Sequence, residues 1–248
     1  MTHRDFRNYR YNPVYSIVVD DKTVLKKKYN LDIIYANKGK LYNMRRAYGE
    51  MSKLYYIYQL YKNGTNSSKY IGLNHYRRYF NFTDIIPNLN DIFNNYDAIL
   101  GRPYIFQRGI KLQFCDSHDC KKYDEMVNII KDIKPQYYQT AMTISKEKKF
   151  YCCNLFIMKK QDFLKYCEFI FDILFEFDRR NNFTSDQDLF NYVKKIYASK
   201  FQQYYQTRLE AFLSERIGNI FYSYHFKKIK IFNFGYYGNF TKYFRKKK

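Results

Sequence analysis

The sequence predicts an α/β fold, an open and mostly parallel sheet flanked by helices. Short apolar runs bounded by polar residues, at 14–19 and 70–73, are typical of buried strands, and we expect both to be central strands. Between them, apolar residues recur at helical spacing from about Met44 to Tyr61, which predicts a helix packed on the sheet. A strand, a helix and a second strand in this order form the unit of a parallel sheet.

The rest of the chain extends this pattern without a break. Further strands and amphipathic helices are expected at 97–100, 151–158, 162–177, 209–224 and 229–234. The stretch 101–149 has poor periodicity and dense charge, and we predict loops and short helices over one face of the sheet. Because neither a repeat nor a Ser/Gly linker divides the chain, we predict a single domain over 1–248 with a basic tail at about 242–248.

The charge of the chain points to anionic partners. A formal net charge of +21 over 248 residues attracts nucleic acid, an acidic membrane surface or phosphorylated small molecules. Because Lys and Arg are spread along the whole chain, a dedicated nucleic-acid surface is disfavoured. The basic tail fits docking to the anionic inner face of a membrane, with a solvated tail as the alternative.

The cysteines and the apolar runs predict a cytoplasmic protein, and the basic tail adds a peripheral position at the inner membrane face. An odd number of cysteines in a chain of this size predicts reduced thiols. The chain begins without an apolar leader, and nowhere do eighteen apolar residues follow one another. The five cysteines are Cys115, Cys120, Cys152, Cys153 and Cys167.

A polar string follows the predicted strand at 70–73 directly. It contains Asn74, His75 and Tyr76, and then Arg77 and Arg78. Open α/β sheets bind ligands at the carboxyl ends of their strands. The forked donors of arginine suit phosphate oxygens, and an imidazole donates a hydrogen bond or ligates a metal. A solvated basic turn is the alternative reading of this string.

Three other positions carry candidate polar groups. Asn154 interrupts an apolar run and either binds a sugar or holds a neighbouring loop. His118 stands among Cys and Asp residues whose spacing fits no zinc pattern, so we predict no metal site there but an acceptor-binding group or base, with an exposed polar loop as the alternative. Ser214, Glu215 and Arg216 interrupt the apolar face of the last helix and are either functional or a surface ion-pair group.

Together these strings resemble the domain-of-unknown-function family of capsular and exopolysaccharide glycosyltransferases. That family carries a Tyr-x-Gly-Leu-x-His-Tyr-Arg-Arg-Tyr-Phe block, which here is Tyr70 to Phe80. Further strings match in the family's order, namely Thr2-His3-Arg4-Asp5-Phe6, Glu50 with Tyr55 and Tyr56, Gln113-Phe114 with His118, Asn154 to Lys160, Gln206-Thr207-Arg208 and Phe212 to Arg216.

The resemblance implies a GT-A-like fold, a nucleotide-binding α/β sheet, and a transferase that moves a hexose, of the galactose type, from a nucleotide-diphosphate donor. A UDP-sugar is the expected donor, and a glycan or lipid-linked molecule in polysaccharide synthesis the expected acceptor. Family members begin with an apolar strand, whereas here Met1 directly precedes Thr2, so we expect part of the donor site to be missing. The expected donor- or substrate-binding residues are Thr2, His3, Asp5, Glu50, Asn74, Tyr76, Arg78, Asn154, Arg208, Ser214 and Arg216.

The resemblance also implies a mechanism. GT-A enzymes hold a divalent metal with an Asp-x-Asp motif, which this chain lacks after 70–73. We therefore hypothesise that His75 and Arg77 neutralise the departing diphosphate, with Mn²⁺ or Mg²⁺ left open. The catalytic base of an inverting transfer is expected among His118, Asp124 and Glu215, and retention stays open. A nucleic-acid-binding basic protein and an inactive sugar-binding homologue are the alternative functions.

Overall fold

The computed structural model describes residues 16–20, 32–36, 39–64, 67–75, 78–80 and 85–236. Within them the strands are β1 (Ser16–Val19), β2 (Asp32–Tyr35), β3 (Tyr70–Leu73), β4 (Arg78–Phe80), β5 (Ala98–Gly101), β6 (Tyr104–Ile105), β7 (Lys149–Phe150), β8 (Phe156–Lys159), β9 (Ile229–Phe232) and β10 (Phe234–Tyr236). The α-helices are α1 (Arg45–Tyr48), α2 (Glu50–Lys62), α3 (Leu89–Asn95), α4 (Ile110–Cys115), α5 (Cys120–Ile133), α6 (Tyr138–Lys146), α7 (Lys160–Asn181), α8 (Asp186–Ile196), α9 (Lys200–Gln206) and α10 (Leu209–His225).

The largest sheet has the strand order β3-β8-β5-β9. Strand β8 runs antiparallel to β3 and β5, whereas β9 runs parallel to β5, so three of the four strands share one direction. The predicted α/β class, an open and mostly parallel sheet flanked by helices, is thereby confirmed. Strand β1 pairs instead with β2 in a separate parallel sheet, and β3 ends the four-strand order, so within the described residues neither is the central strand that we expected.

Both faces of the inner strands β5 and β8 are buried, which explains their continuous apolar sequences. Ala98, Leu100 and Phe156 belong to the core shared with helices α2, α5, α7 and α10. Ile99 and Ile157 point to the opposite face, where residues of α3 and β4 cover them. Alternate residues of a strand therefore enter two different apolar clusters.

The helices of 101–149 are more extensive than the sequence predicted. Helices α4, α5 and α6 occupy much of this stretch, and the predicted loops are reduced to the connections between them. The burial of Tyr123, Met126 and Ile130 on one side of α5 shows an amphipathic face that dense surface charge obscured. Helices α8 and α9 were also not predicted.

The predicted helix from Met44 to Tyr61 is divided at Gly49. This residue separates α1 from α2 and has φ +56°, a conformation that glycine adopts without steric cost. A side chain at this position would also lie 3.2 Å from Cβ of Ala211 on α10. The break therefore depends on the approach of a distant helix, which periodicity does not reveal.

One cysteine pair departs from the predicted reduced state. Cys115 ends α4, Cys120 begins α5, and the two form a disulfide across a short connection. The tight reversal between the helices brings their Cα atoms to 4.5 Å, within the range that a disulfide spans. The expectation of reduced thiols is wrong for this pair, while Cys152, Cys153 and Cys167 are free thiols.

Helix α10 is buried on almost every side, and it carries a carboxyl group into the core. Glu210 has no exposed surface and lies beside the buried Asp178 of α7, which also accepts a 2.5 Å hydrogen bond from the hydroxyl of Tyr48. Burial raises the pKa of Asp178 to about 7 and that of Glu210 well above its ordinary value. The two carboxyls form a side-chain hydrogen bond with each other, which requires a proton on one of them.

This pair makes stability depend on pH in a defined direction. Both folded pKa values lie above the unfolded ones, so the folded chain binds protons more tightly and loses stability as pH rises from about 4 through about 7. We expect Glu210→Gln to flatten this fall, since the amide donates to Asp178 without titrating. Urea unfolding at about pH 5 and about pH 8 measures the effect.

Glu168→Gln provides the matched control, because Glu168 is an exposed carboxyl on the same helix as Asp178. Its pH dependence should follow that of the wild type. The opposing contribution of His118, whose pKa is lowered, is common to all three proteins and cancels in the comparison. Equal slopes for wild type and Glu210→Gln would contradict a shared proton at this pair.

Candidate functional site

The segment between β7 and β8 is held by side chains of α10. Asn219 accepts a hydrogen bond from the N–H of Tyr151 and donates one to its carbonyl, both at 2.8 Å. One turn earlier, Glu215 accepts from the N–H of Cys153 at 2.9 Å. These bonds replace strand pairing, so β8 begins only at Phe156 and the predicted strand 151–158 is shorter than expected.

Asn154 lies in the resulting turn and not inside a strand. Cys153 and Asn154 have φ values of 69° and 49°, a left-handed conformation that Asn tolerates better than most residues. The buried Asn154 amide donates to Glu50 Oε1 at 3.2 Å, and its oxygen accepts from the hydroxyl of Tyr166 at 3.3 Å. The turn thus joins the first residue of α2 to the sheet.

Glu215 is the carboxylate at the centre of this arrangement. It keeps 19 % of its side chain exposed, and its second oxygen accepts from Nη1 of Arg216 at 3.2 Å. Burial raises the pKa of Glu215, Arg216 lowers it, and the nearby Glu50 carboxylate raises it, with a net value above the ordinary range. A partly exposed carboxylate with a raised pKa is suited to accept a proton near neutral pH.

Arg216 supports Glu215 from inside the protein. Its guanidinium is 4 % exposed, donates to Gln113 Oε1 at 2.7 Å, and lies against the rings of Phe114 and Phe150. Ser214 is fully buried and donates to the carbonyl of Ala211 within the same helix. Both side chains are buried and bonded to neighbouring protein groups, so they support the site from inside the protein. Their predicted contacts with substrate stay predictions.

Arg78, the first residue of β4, also lies near the Glu215 carboxylate. Backbone hydrogen bonds of 2.9 and 3.0 Å join His75 to Arg78, and the Asn74 side chain accepts from the N–H of Phe80. Burial lowers the pKa of Arg78, but the charges of Cys153, Cys152, Tyr104 and Glu215 raise it by more, giving a net rise. This guanidinium therefore lies within electrostatic range of Glu215.

Arg208 and an aromatic pair border the site on its other side. Arg208 precedes α10, and its guanidinium lies near Gly49 and 5.4 Å from the ring of Phe212. Tyr205 packs on Phe212 with 4.9 Å between ring centroids. Burial raises the pKa of Tyr205, Arg208 lowers it and Glu215 raises it, which places Tyr205 near both charges.

These contacts define a polar cluster of Glu50, Arg78, Asn154, Arg208 and Glu215. The cluster joins five of the strings that the sequence singled out, and most of these are far apart along the chain. No group of three or more potential metal ligands occurs in the described ranges, so the carboxylates of Glu50 and Glu215 lack a third ligand there. We therefore derive no step through a metal.

Two predicted bases lie outside the polar cluster. His118 is buried among Phe114, Tyr205 and Phe212, and its Nδ1 bonds Oε1 of Gln206 at 2.6 Å. Burial lowers its pKa to about 4, which makes it a weak proton acceptor. Asp124 is exposed on α5 and pairs with Lys111. Their printed polar partners are Gln206 and Lys111 and not Glu215, and their catalytic roles stay predictions.

Some predicted site residues lie outside the described residues. They are Thr2, His3, Asp5, Tyr76 and Arg77, together with the tail at 242–248 and the start of the chain. Sequence reasoning in turn missed Asn219 and the role of Cys152 and Cys153 beside the polar cluster. The one available signal was the position of Asn219, four residues after Glu215 on the same helix face.

The fold is similar to that of a solved structure. The chain is similar to the apo structure of the bifunctional glycosyltransferase WbbM, with a TM-score of 0.65 and 14 % sequence identity. The match covers 90 % of this chain and 45 % of that one, so this chain spans less than half of the WbbM protein's length. This likeness defines the class of fold, an α/β fold also found in a glycosyltransferase.

The family follows from the sequence match. Residues 1–189 match the family described as "Domain of unknown function (DUF4422)", and the chain belongs to this family. No curated protein matches it. Within the described residues no helix is both long and apolar enough to cross a bilayer. Membership of a domain-of-unknown-function family is thus confirmed, while the link to capsule synthesis stays a prediction.

The contact between Asn219 and Tyr151 should be a main support of the polar cluster. Asn219→Ala leaves the N–H and carbonyl of Tyr151 without these partners, which costs about 1–3 kcal/mol of unfolding free energy. Urea unfolding measures the loss. Asn191→Ala, on the exposed side of α8, removes a comparable amide and should change stability by less than about 0.5 kcal/mol. Equal losses in the two variants would count against this support.

Proposed function

We propose that this protein is a glycosyltransferase that moves a hexose, of the galactose type, from a nucleotide-diphosphate donor to a glycan or lipid-linked acceptor in polysaccharide synthesis. The observation that carries the proposal is the polar cluster itself. It sets a carboxylate with a raised pKa beside two guanidinium groups, on a fold similar to that of a glycosyltransferase. A metal-free inverting transfer from a nucleotide sugar uses both, a base for the acceptor hydroxyl and cations for the leaving diphosphate.

Glu215 acts as the general base. It takes the proton of an acceptor hydroxyl, whose oxygen then bonds to the anomeric carbon of the donor sugar. The bond from that carbon to the diphosphate breaks, and the nucleoside diphosphate leaves with the electron pair. The hydrogen bond from Cys153 and the ion pair with Arg216 hold the carboxylate in place for this step.

Arg78 and Arg208 neutralise the departing diphosphate. Arginine donors match phosphate oxygens in pairs, and their charge is worth most where negative charge develops. Arg208 forms no ion pair with any described residue, which leaves its donors for a ligand. The half-buried Glu50 can bind sugar hydroxyls, and the buried Asn154 holds its carboxylate in place.

The remaining parts of the proposal concern donor and location. A UDP-sugar is the proposed donor, and Arg77 and His75, which adjoin Arg78 in the sequence, are proposed to share in diphosphate binding. The net charge of +21 supports attraction of an anionic donor and of an anionic membrane surface that holds a lipid-linked acceptor. We accordingly propose a cytoplasmic protein that is peripheral at the inner membrane face.

A panel of nucleotide sugars tests the donor site. UDP-galactose and UDP-glucose should raise the thermal midpoint, because a ligand that binds only the folded chain stabilises it by mass action. Arg208→Ala should remove most of this shift, whereas Lys111→Ala, a basic residue on α4, should leave it unchanged. A single-stranded oligonucleotide serves as the competing ligand. Stabilisation by the oligonucleotide alone, lost in high salt, would favour a nucleic-acid-binding protein instead.

The pH profile of transfer tests Glu215. Because its pKa is raised, the rate should fall as pH drops through a value above that of an ordinary glutamate. Glu215→Gln should lower kcat by roughly 10²–10⁴-fold and remove this acidic limb. The thermal shift by UDP-sugar reports on folding and donor binding of the variant. An unchanged kcat in Glu215→Gln would exclude it as the base, and Glu168→Gln is the control.

A further inference from the structure

Two adjacent thiols border the polar cluster. Cys152 and Cys153 lie in the turn before β8, and their sulfur atoms are 2.9 Å apart. Cys152 is half-buried, whereas Cys153 is 9 % exposed and in the left-handed conformation. Neighbouring thiols at this separation form a dithiol and not two independent side chains.

The dithiol is attached directly to the residues of the cluster. The N–H of Cys153 donates to Glu215, and Arg78 lies within electrostatic range of both sulfur atoms. The next residue, Asn154, binds Glu50. A covalent change at the two sulfurs would therefore alter the backbone that positions Glu215.

We propose that Cys152 and Cys153 form a reversible redox modification site, which a small disulfide of the glutathione class converts to a vicinal disulfide. Cys152, the more exposed thiol, attacks the small disulfide as thiolate, forming a mixed disulfide and releasing one glutathione thiolate. Cys153 then attacks the sulfur of Cys152 and releases the second glutathione. The two cysteines lose two protons and two electrons, and the small disulfide gains them.

The contact between the two sulfurs supports this order of attack. Cys153 donates its S–H to the sulfur of Cys152, which holds the two sulfurs in contact for the second attack. That hydrogen bond, followed by burial, raises the pKa of Cys153, so Cys153 keeps its proton until the mixed disulfide forms. The Arg78 guanidinium opposes this rise in the pKa of Cys153, which places its charge near the two sulfurs.

The vicinal ring should be easy to reduce again. Adjacent Cα atoms are about 3.8 Å apart, which is shorter than the Cα separation of an unstrained disulfide. Strained disulfides have higher reduction potentials and are the labile ones. The buried Cys167, in contrast, contacts no second free thiol within the described ranges.

Mass analysis of the full chain tests the modification. A Cys115→Ser, Cys120→Ser background removes the other cysteine pair, and Cys167 stays as an internal control. Oxidised glutathione should remove two hydrogen atoms from the peptide that contains Cys152 and Cys153, and dithiothreitol should restore them. Phenylarsine oxide, which binds paired thiols with loss of water, should add one arsenic per reduced chain.

Cys152→Ser and Cys153→Ser should each abolish the vicinal disulfide and the arsenic adduct, while Cys167→Ser should leave both intact. A cooperative thermal transition in each variant establishes folding. The proposal is overturned if wild type yields stable glutathione adducts on single cysteines, no mass change, or arsenic binding that survives Cys152→Ser. These readouts need no transferase activity.

The effect on transfer rests on the proposed function. Ring closure reorients the Cys152–Cys153 peptide and weakens its bond to Glu215, so oxidised wild type should transfer hexose at least about tenfold more slowly, a loss of about 1.4 kcal/mol. Cys152→Ser should be insensitive to oxidised glutathione. Equal rates for oxidised and reduced protein reject this coupling, whereas absence of transfer in both forms counts against the proposed function and not against the disulfide.

Discussion

The hydrogen bonds from Asn219 to Tyr151 are the contact on which the polar cluster depends. A segment that leaves the sheet must still satisfy its backbone groups, and here a side chain from α10 takes the place of a neighbouring strand. Once Tyr151 is fixed, the turn that follows presents Cys153 to Glu215 and Asn154 to Glu50. One amide thus determines where two of the cluster's contacts form.

Helix α10 combines extensive burial with charged side chains, two properties that usually conflict. Among the helices that the structure describes it has the largest share of buried residues, yet it carries Glu210, Glu215 and Arg216. Each charge is accommodated differently. Glu210 keeps a proton beside Asp178, Arg216 pairs with Glu215 and lies between aromatic rings, and Glu215 retains partial exposure. The carboxyl that reaches the surface is therefore the one available for chemistry.

Several elements followed directly from the sequence. The apolar face of α7 and the strand pattern of β3, β5 and β9 were predicted, because burial on one helix face or on both sheet faces leaves a clear spacing of apolar residues. The break at Gly49 and the turn at Cys153 and Asn154 were not predicted. Both depend on contacts with α10, more than fifty residues away in the chain. The spacing of apolar residues within one segment does not reveal such contacts.

The sequence by itself determined the α/β class, the family, and most of the strings that supply the polar cluster, including Glu50, Arg78, Asn154 and Glu215. Only the tertiary structure decided which of these side chains meet and in what state of burial. It gave His118 and Asp124 polar partners other than Glu215, enclosed Ser214 and Arg216, and set the free thiols of Cys152 and Cys153 at the edge of the cluster. The physical reason is that residue type limits what a side chain can do, whereas burial and neighbouring charge, which fix its protonation and its access to a ligand, arise only when distant segments pack together.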